Sequence, residues 1–166
     1  MVEREPIIDK ERITYEGLFS FAELIKLLQD WMSTKGYVPI EKSAVETIKQ
    51  DGKYVEYWFA PFKKVTDYAK NLLWIRIIGT GLKEKEVEKD NKKVMLVEGK
   101  IQIVLDAFLE TDWEGRWEAK PLFYVLRTVW EKYVYKPFLS GFQENIKKDA
   151  TDLKNQMKAF LNLYKY

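Results

Sequence analysis

A chain without a single histidine or cysteine has few ways to do chemistry. That absence removes disulfides, thiolate and imidazole metal sites, Ser-His and Cys-His nucleophile pairs and histidine proton shuttles. Asp, Glu, Lys and Tyr remain for acid-base work, and an all-oxygen site of the Mg or Ca kind remains for metals. Neither shows a motif here. The sequence therefore assigns no catalytic residue, no metal ligand and no cofactor, and binding stands ahead of catalysis.

Four constellations could still carry function. Glu56, Arg76 and Asp106 interrupt otherwise apolar alternating segments, with Tyr54 and Trp58 beside Glu56 and Trp74 and Ile78 beside Arg76. Polar groups on such strands either fix the head group of a ligand in a cavity or face solvent on a sheet covered on one side only. Glu110, Asp112, Glu114 and Glu118, with Arg116, Trp113 and Trp117 among them, supply the residue types of an acid pair or an aromatic sugar platform. A helix cap, acids near a positive helix start and two tryptophans sealing a core use the same residues. Glu84, Glu86, Glu88 and Asp90 alternate with Lys83, Lys85, Val87 and Lys89. On an extended strand these acids project to one side in a row, which suits a charged hairpin arm better than convergence on one cation.

The fourth is a lysine stripe. Residues 118–166 hold nine Lys or Arg against five acids, while residues 1–117 hold 19 against 21. At about 100° per residue, Lys147, Lys154, Lys158 and Lys165 fall within about 40° of one another on a helix. Such a stripe either tracks the phosphates of RNA or another polyanion, or covers the edge of a buried face with its aliphatic stems. It contains no arginine, the residue suited to bidentate phosphate contacts.

The elements that must position these residues follow from period and punctuation. Met1–Lys10 reads as a flexible lead. From Arg12 to Phe19 the apolar residues alternate, predicting a strand. Ser20 and Glu23 have capping-box spacing, and Leu24, Leu28, Trp31 and Met32 then recur at helical spacing until Gly36. From Ala44 to about Glu110 the period is two. Strands are predicted over Ala44–Lys49 and Lys53–Phe62 about Asp51-Gly52, then Leu72–Val87 and Val94–Glu110 about Lys89-Asp90-Asn91-Lys92. Pro61, which lacks an N–H, marks a strand end or bulge. Beyond Asp112 the period is helical, with Pro121 opening a first helix whose face includes Val125, Val129 and Trp130. Pro137 then breaks or kinks the chain before a second helix from about Leu139 to Tyr164, with Phe142, Ile146, Leu153, Met157 and Phe160 on one side.

The fold class is α+β: one domain over residues 1–166 with an N-terminal strand and helix, an antiparallel sheet of four to five strands, and long C-terminal helices over 119–166 packed on the sheet. This order resembles the helix-grip architecture of the START and Bet v 1-like superfamily. The resemblance implies an apolar ligand held between sheet and helix. A cystatin-like sheet with a helical extension fits the same order.

The resulting expectation is a non-enzymatic module binding an apolar small molecule or a protein partner. Its candidate ligand residues are Glu56, Trp58, Trp74, Arg76, Asp106 and Trp130. The alternative is an RNA or ribonucleoprotein accessory protein using Lys147, Lys154, Lys158 and Lys165, and a carboxylate-based enzyme comes third. A homodimer through the C-terminal helix is a further expectation. No run reaches the ~20 apolar residues of a membrane span, and the charged N-terminus lacks the apolar stretch of a secretion signal. The expected location is cytoplasmic. A chain with 33% charged residues and a net charge of only +2 resembles thermophile surfaces laced with Lys and Glu pairs.

Overall fold

The computed structural model describes residues 3–111 and 136–163. Its architecture is built around the two longest alternating segments, Ala69–Lys89 and Lys92–Thr111. They pair antiparallel along nearly their whole length. The turn between them is Asp90-Asn91, with φ of 51° and 62°. Positive φ at both positions gives a turn whose twist matches that of the flanking strands, and Asp and Asn adopt it at low cost.

In chain order the elements are β1 (Glu3–Phe19), α1 (Phe21–Lys35), β2 (Glu41–Lys49), β3 (Gly52–Phe59), β4 (Phe62–Lys64), β5 (Ala69–Lys89), β6 (Lys92–Thr111) and α2 (Lys136–Leu163). The sheet order is β1-β6-β5-β3-β2, every pairing antiparallel, with β4 also on β5. Six strands replace the expected four to five. The extra one arises at Pro61, because the predicted strand Lys53–Phe62 stops at Phe59 and resumes as β4 on the same neighbour. Pro61 has no N–H for the ladder, yet its carbonyl accepts from the Leu73 N–H at 2.9 Å. Met1–Lys10, expected as a flexible lead, contributes Glu3–Lys10 to β1.

Side-chain alternation divides the sheet into two unlike faces. Leu73, Ile75 and Ile77 of β5 and Ile103, Leu105 and Ala107 of β6 are fully buried and form the inner face. Against it lie Leu24, Leu28, Trp31 and Met32 of α1 and Ile146, Ala150, Leu153, Met157 and Leu161 of α2, in one continuous core. Those α2 positions recur every three to four residues, so a single stripe of the helix is buried. Pro137 falls in the first turn of α2, where the missing N–H costs nothing, and it is not the expected break before the helix. The predicted helix from Pro121, with Trp130, lies outside the described residues.

α1 is capped at both ends. The Ser20 hydroxyl accepts from the Glu23 N–H at 3.2 Å. Gly36 at φ 79° closes the other end, with the Tyr37 N–H donating to the Met32 carbonyl at 2.8 Å.

Glycines set a corner beyond the core. β5 shifts register between Thr80 and Lys83, and β3 and β1 run out nearby, so residues 83–98 continue as an almost two-stranded arm. The β2–β3 turn presses on this corner. A Cβ on Gly52, whose φ is 133°, would stand 2.6 Å from the Gly81 carbonyl carbon. Gly52→Ala is therefore expected to lower stability by about 2 kcal/mol or more, since backbone must move to admit the methyl. Gly141, inside α2, has no atom of the described residues within 4 Å of an added Cβ. Gly141→Ala is expected to raise stability by about 0.5–1 kcal/mol. Urea denaturation of the two variants checks both signs.

Candidate functional site

The outer face of the sheet gathers residues that no core demands. Register places Trp58 of β3, Arg76 of β5, Val104 of β6 and Arg12 of β1 in one row across four strands. The next row sets Glu56 beside Ile78 and Gln102, and on the other side Trp74 stands opposite Asp106. All of these point away from α1 and α2, because they alternate with the buried inner-face positions. Five of the six expected ligand residues, Glu56, Trp58, Trp74, Arg76 and Asp106, thus share one surface. The sixth, Trp130, lies outside the described residues.

Aromatic rings form the floor of this surface. Trp58 and Trp74 meet edge to face with centroids 5.8 Å apart, and Trp74 and Phe108 do so at 4.7 Å. The Arg76 guanidinium carbon lies 5.2 Å from the Trp58 ring centroid, and that of Arg4 lies 5.6 Å from Trp74. An open trough of about 480 Å³ runs past Trp74, Arg76, Val104, Asp106, Arg12 and Lys10. The Trp58 indole N–H is buried and has no acceptor among the described residues.

The charges on this face differ in how they are held. Glu110, 4% exposed, takes Arg4 Nε at 2.8 Å and Lys70 Nζ at 3.2 Å, so this carboxylate is fixed in place. Asp106 accepts the Lys10 backbone N–H at 2.8 Å. Lys10 sits at φ 47° where β1 shifts register twice, a bulge that turns its amide toward β6. Glu56 accepts the Tyr54 hydroxyl at 3.0 Å, and that bond raises the Tyr54 pKa. Arg12 and Arg76 are exposed and have no carboxylate partner among the described residues. Tethered carboxylates beside unpaired guanidiniums over indole rings suit the capture of an anion with a flat apolar body. Among the described residues no group of three or more carboxylates is placed to hold a metal ion.

Arg4, Lys10, Arg12 and Phe108 are members that sequence reasoning missed. Phe108 and Arg12 were within reach: Phe108 shares the parity of Asp106, and Arg12 takes the parity opposite to the alternating apolar residues of the strand predicted over Arg12 to Phe19. The Lys10 amide was not, since nothing in the composition marks the bulge.

The other sequence candidates fall elsewhere. Lys154 forms an ion pair with Glu11 on β1, and Lys147 and Lys158 are exposed on α2, while Lys165 lies outside the described residues. The carboxylates of Glu144 and Asp152 share the shallow surface around Lys147. Trp113, Trp117, Arg116, Asp112, Glu114 and Glu118 are likewise outside the described residues. Glu84, Glu86, Glu88 and Asp90 are exposed on the arm, where Lys85 pairs with Glu98 and Lys93 approaches Glu86 at 3.7 Å. Where the helix-grip resemblance implies a ligand, between α2 and the sheet, Ile146, Leu153 and Met157 fill the space with fully buried side chains.

One polar group is buried on the inner side. The Tyr37 hydroxyl donates to Asp149 Oδ2 at 2.9 Å, while Trp31 stacks on Tyr37 and donates its Nε1–H to Asp152 at 3.0 Å. Burial and the Asp149 charge push the Tyr37 pKa far above the ordinary tyrosine value. The buried Asn71 amide pulls the other way without closing a well-formed hydrogen bond. These contacts tie the end of α1 to α2.

Protein-family models, curated proteins and solved structures were compared with this chain, and none matches it.

Raised tyrosine pKa values fix the alkaline limit of stability. Burial and the Glu46 carboxylate push Tyr57 up to about 12, and Tyr37 is shifted further. Above pH ~10 the unfolded chain releases these protons first, so stability is complete below pH ~10 and falls as pH rises through 12. Tyr37→Phe leaves buried Asp149 without its hydroxyl donor. It is expected to cost about 1–3 kcal/mol at neutral pH and to flatten the alkaline decline. Urea titrations between pH 7 and 12 read both effects.

Proposed function

We propose that this protein is a non-enzymatic binding module whose recognition surface is the outer face of its sheet. Its ligand is a small molecule with a flat apolar body and one anionic group. The observation that carries this reading is Arg76: a guanidinium held over the Trp58 ring, exposed and with no carboxylate partner among the described residues. Arg12 is equally unpaired and stands two strands away across Val104, about 10 Å at sheet spacing. Trp74 and Phe108, which line the trough, offer apolar ring surface beneath the anion, and Trp58 stands edge to face with Trp74.

This reading keeps the class expected from sequence, a binding module for an apolar small molecule. It moves the ligand from the space between sheet and C-terminal helix to the opposite face. The lysine stripe offers less support for a polyanion, because Lys154 is committed to Glu11 and the carboxylates of Glu144 and Asp152 stand near Lys147. Arginine, able to engage an oxyanion with two parallel N–H groups, is concentrated on the sheet instead.

The probe for this test is 1-anilinonaphthalene-8-sulfonate, which joins a flat apolar body to one sulfonate. Saturable binding with energy transfer from tryptophan is expected. Arg76→Ala should weaken it about tenfold and Arg12→Ala somewhat less, while Lys158→Ala on α2 should leave it unchanged. Equal affinity in Arg76→Ala and the parent would sink the reading. A steep loss of affinity with added salt would instead indicate a polyanion engaging several cations at once.

A further inference from the structure

The two edges of the sheet are treated very differently. An edge strand exposes unpaired N–H and C=O groups, and folds that stay single blunt such edges with prolines, bulges and covering elements. β1 carries these devices: Pro6, two register shifts between Pro6 and Glu11, and α2 alongside, with Gln143 bonded to Glu5 and Lys154 paired to Glu11. β2 carries few. Among the described residues it pairs only with β3, every one of its nine residues is exposed, and from Ser43 to Lys49 its register is unbroken. Two of its apolar side chains stand in solvent, Val45 at 47% exposed and Ile48 at 88%.

We propose that β2 pairs antiparallel with β2 of a second copy, joining two sheets into one through a two-fold axis at Val45. The strand's own sequence selects this occupant. Pairing about Val45 sets Val45 against itself and Ser43 against Thr47 of the second copy, and both are favourable cross-strand pairs. It keeps each residue on the same face as its opposite number, so inner face continues inner face and outer face continues outer face. Glu46, beside the axis, has its charge balanced within its own chain by Lys53 at 2.9 Å and by the Tyr57 hydroxyl at 2.7 Å. The interface is isologous and closes on itself as a dimer. Its β2 position replaces the expected dimer through the C-terminal helix. The inference does not depend on the ligand reading, although it would set two troughs on one continuous face.

Pairing over roughly seven residues is smaller than a standard stable interface, so association in the micromolar range is expected. Sedimentation equilibrium of the full chain from about 1 to 500 μM reads it. The parent should form dimers. Val45→Lys, which sets two ammonium groups against each other on the axis at an already exposed position, should leave monomer throughout. Val45→Thr, which keeps a β-branched pair on the axis, should retain the dimer within a few-fold. A parent that stays monomeric at every concentration overturns the proposal. So does a dimer that Val45→Lys leaves intact, or one that Val45→Thr abolishes.

Discussion

The strict period-two burial along β5 and β6 is the constraint on which the remainder of the molecule depends. Two strands of 21 and 20 residues place isoleucine, leucine and alanine on one side at every second position through their central pairing. A slip of one residue would send that whole set into water and bring Trp74, Arg76 and Asp106 into the core. Each fully buried aliphatic side chain contributes about 1.5–3 kcal/mol, so the wrong register is excluded by a large margin. Once the inner face is fixed, the helices have only one side on which to bury their stripes. The aromatic and charged residues of the sheet then share the other face by the same parity.

Several smaller devices work within that frame. The caps of α1 give its first and last turns their hydrogen bonds, and Tyr37, placed just past Gly36, reaches Asp149 and ties α2 to the end of α1. The Asp149 carboxylate is 7% exposed, which is tolerable because it is hydrogen-bonded. At the opposite end, Gly52, Gly79, Gly81 and Gly99 meet where the arm leaves the sheet. Leu82 folds over this corner, and the spaces that Cβ atoms would take at Gly79 and Gly99 lie under 3 Å from its side chain. The turn and the bulge can approach this closely because neither carries a side chain.

Much of this was legible in the sequence because the deciding signals are local. Ser20, Gly36, the Asp51-Gly52 turn and the Asp90-Asn91 turn each act through the conformation of one or two residues. Alternation also put Glu56, Trp58, Trp74, Arg76 and Asp106 forward as a group. Which face they occupy was left open, because parity alone does not say on which side the helices lie. The bulge at Lys10 escaped for a different reason: it is a mismatch between two strands about a hundred residues apart, and neither strand alone records it. Pro61 was read as an end or bulge, and the structure uses it to divide one strand path into β3 and β4. The lysine stripe shows the limit of a helical wheel, which places Lys154 on a face but cannot show Glu11 waiting on β1.

The distribution of ion pairs separates the outer face from ordinary surface. Lys53, Lys64, Lys70, Lys85, Lys93 and Lys154 each have a carboxylate partner, on the arm, the edges and the helix alike. Such exposed pairs add little stability individually, but they show that acids are plentiful wherever this surface carries lysine. On the outer face Glu110 takes Arg4 and Lys70, whereas Asp106 is held by the Lys10 amide and Glu56 by the Tyr54 hydroxyl. The N–H groups of Arg12 and Arg76 have no carboxylate partner among the described residues, and the Arg76 guanidinium lies over the Trp58 ring. Water hydrates those groups in the free protein, yet guanidinium is weakly hydrated and easily gives up that water to a matching oxyanion. A sheet face shaped by stability alone would gain more from pairing its arginines with the acids already beside them. With those acids held elsewhere, no carboxylate of the described residues neutralises Arg12 or Arg76, which is the premise of the proposed anion site.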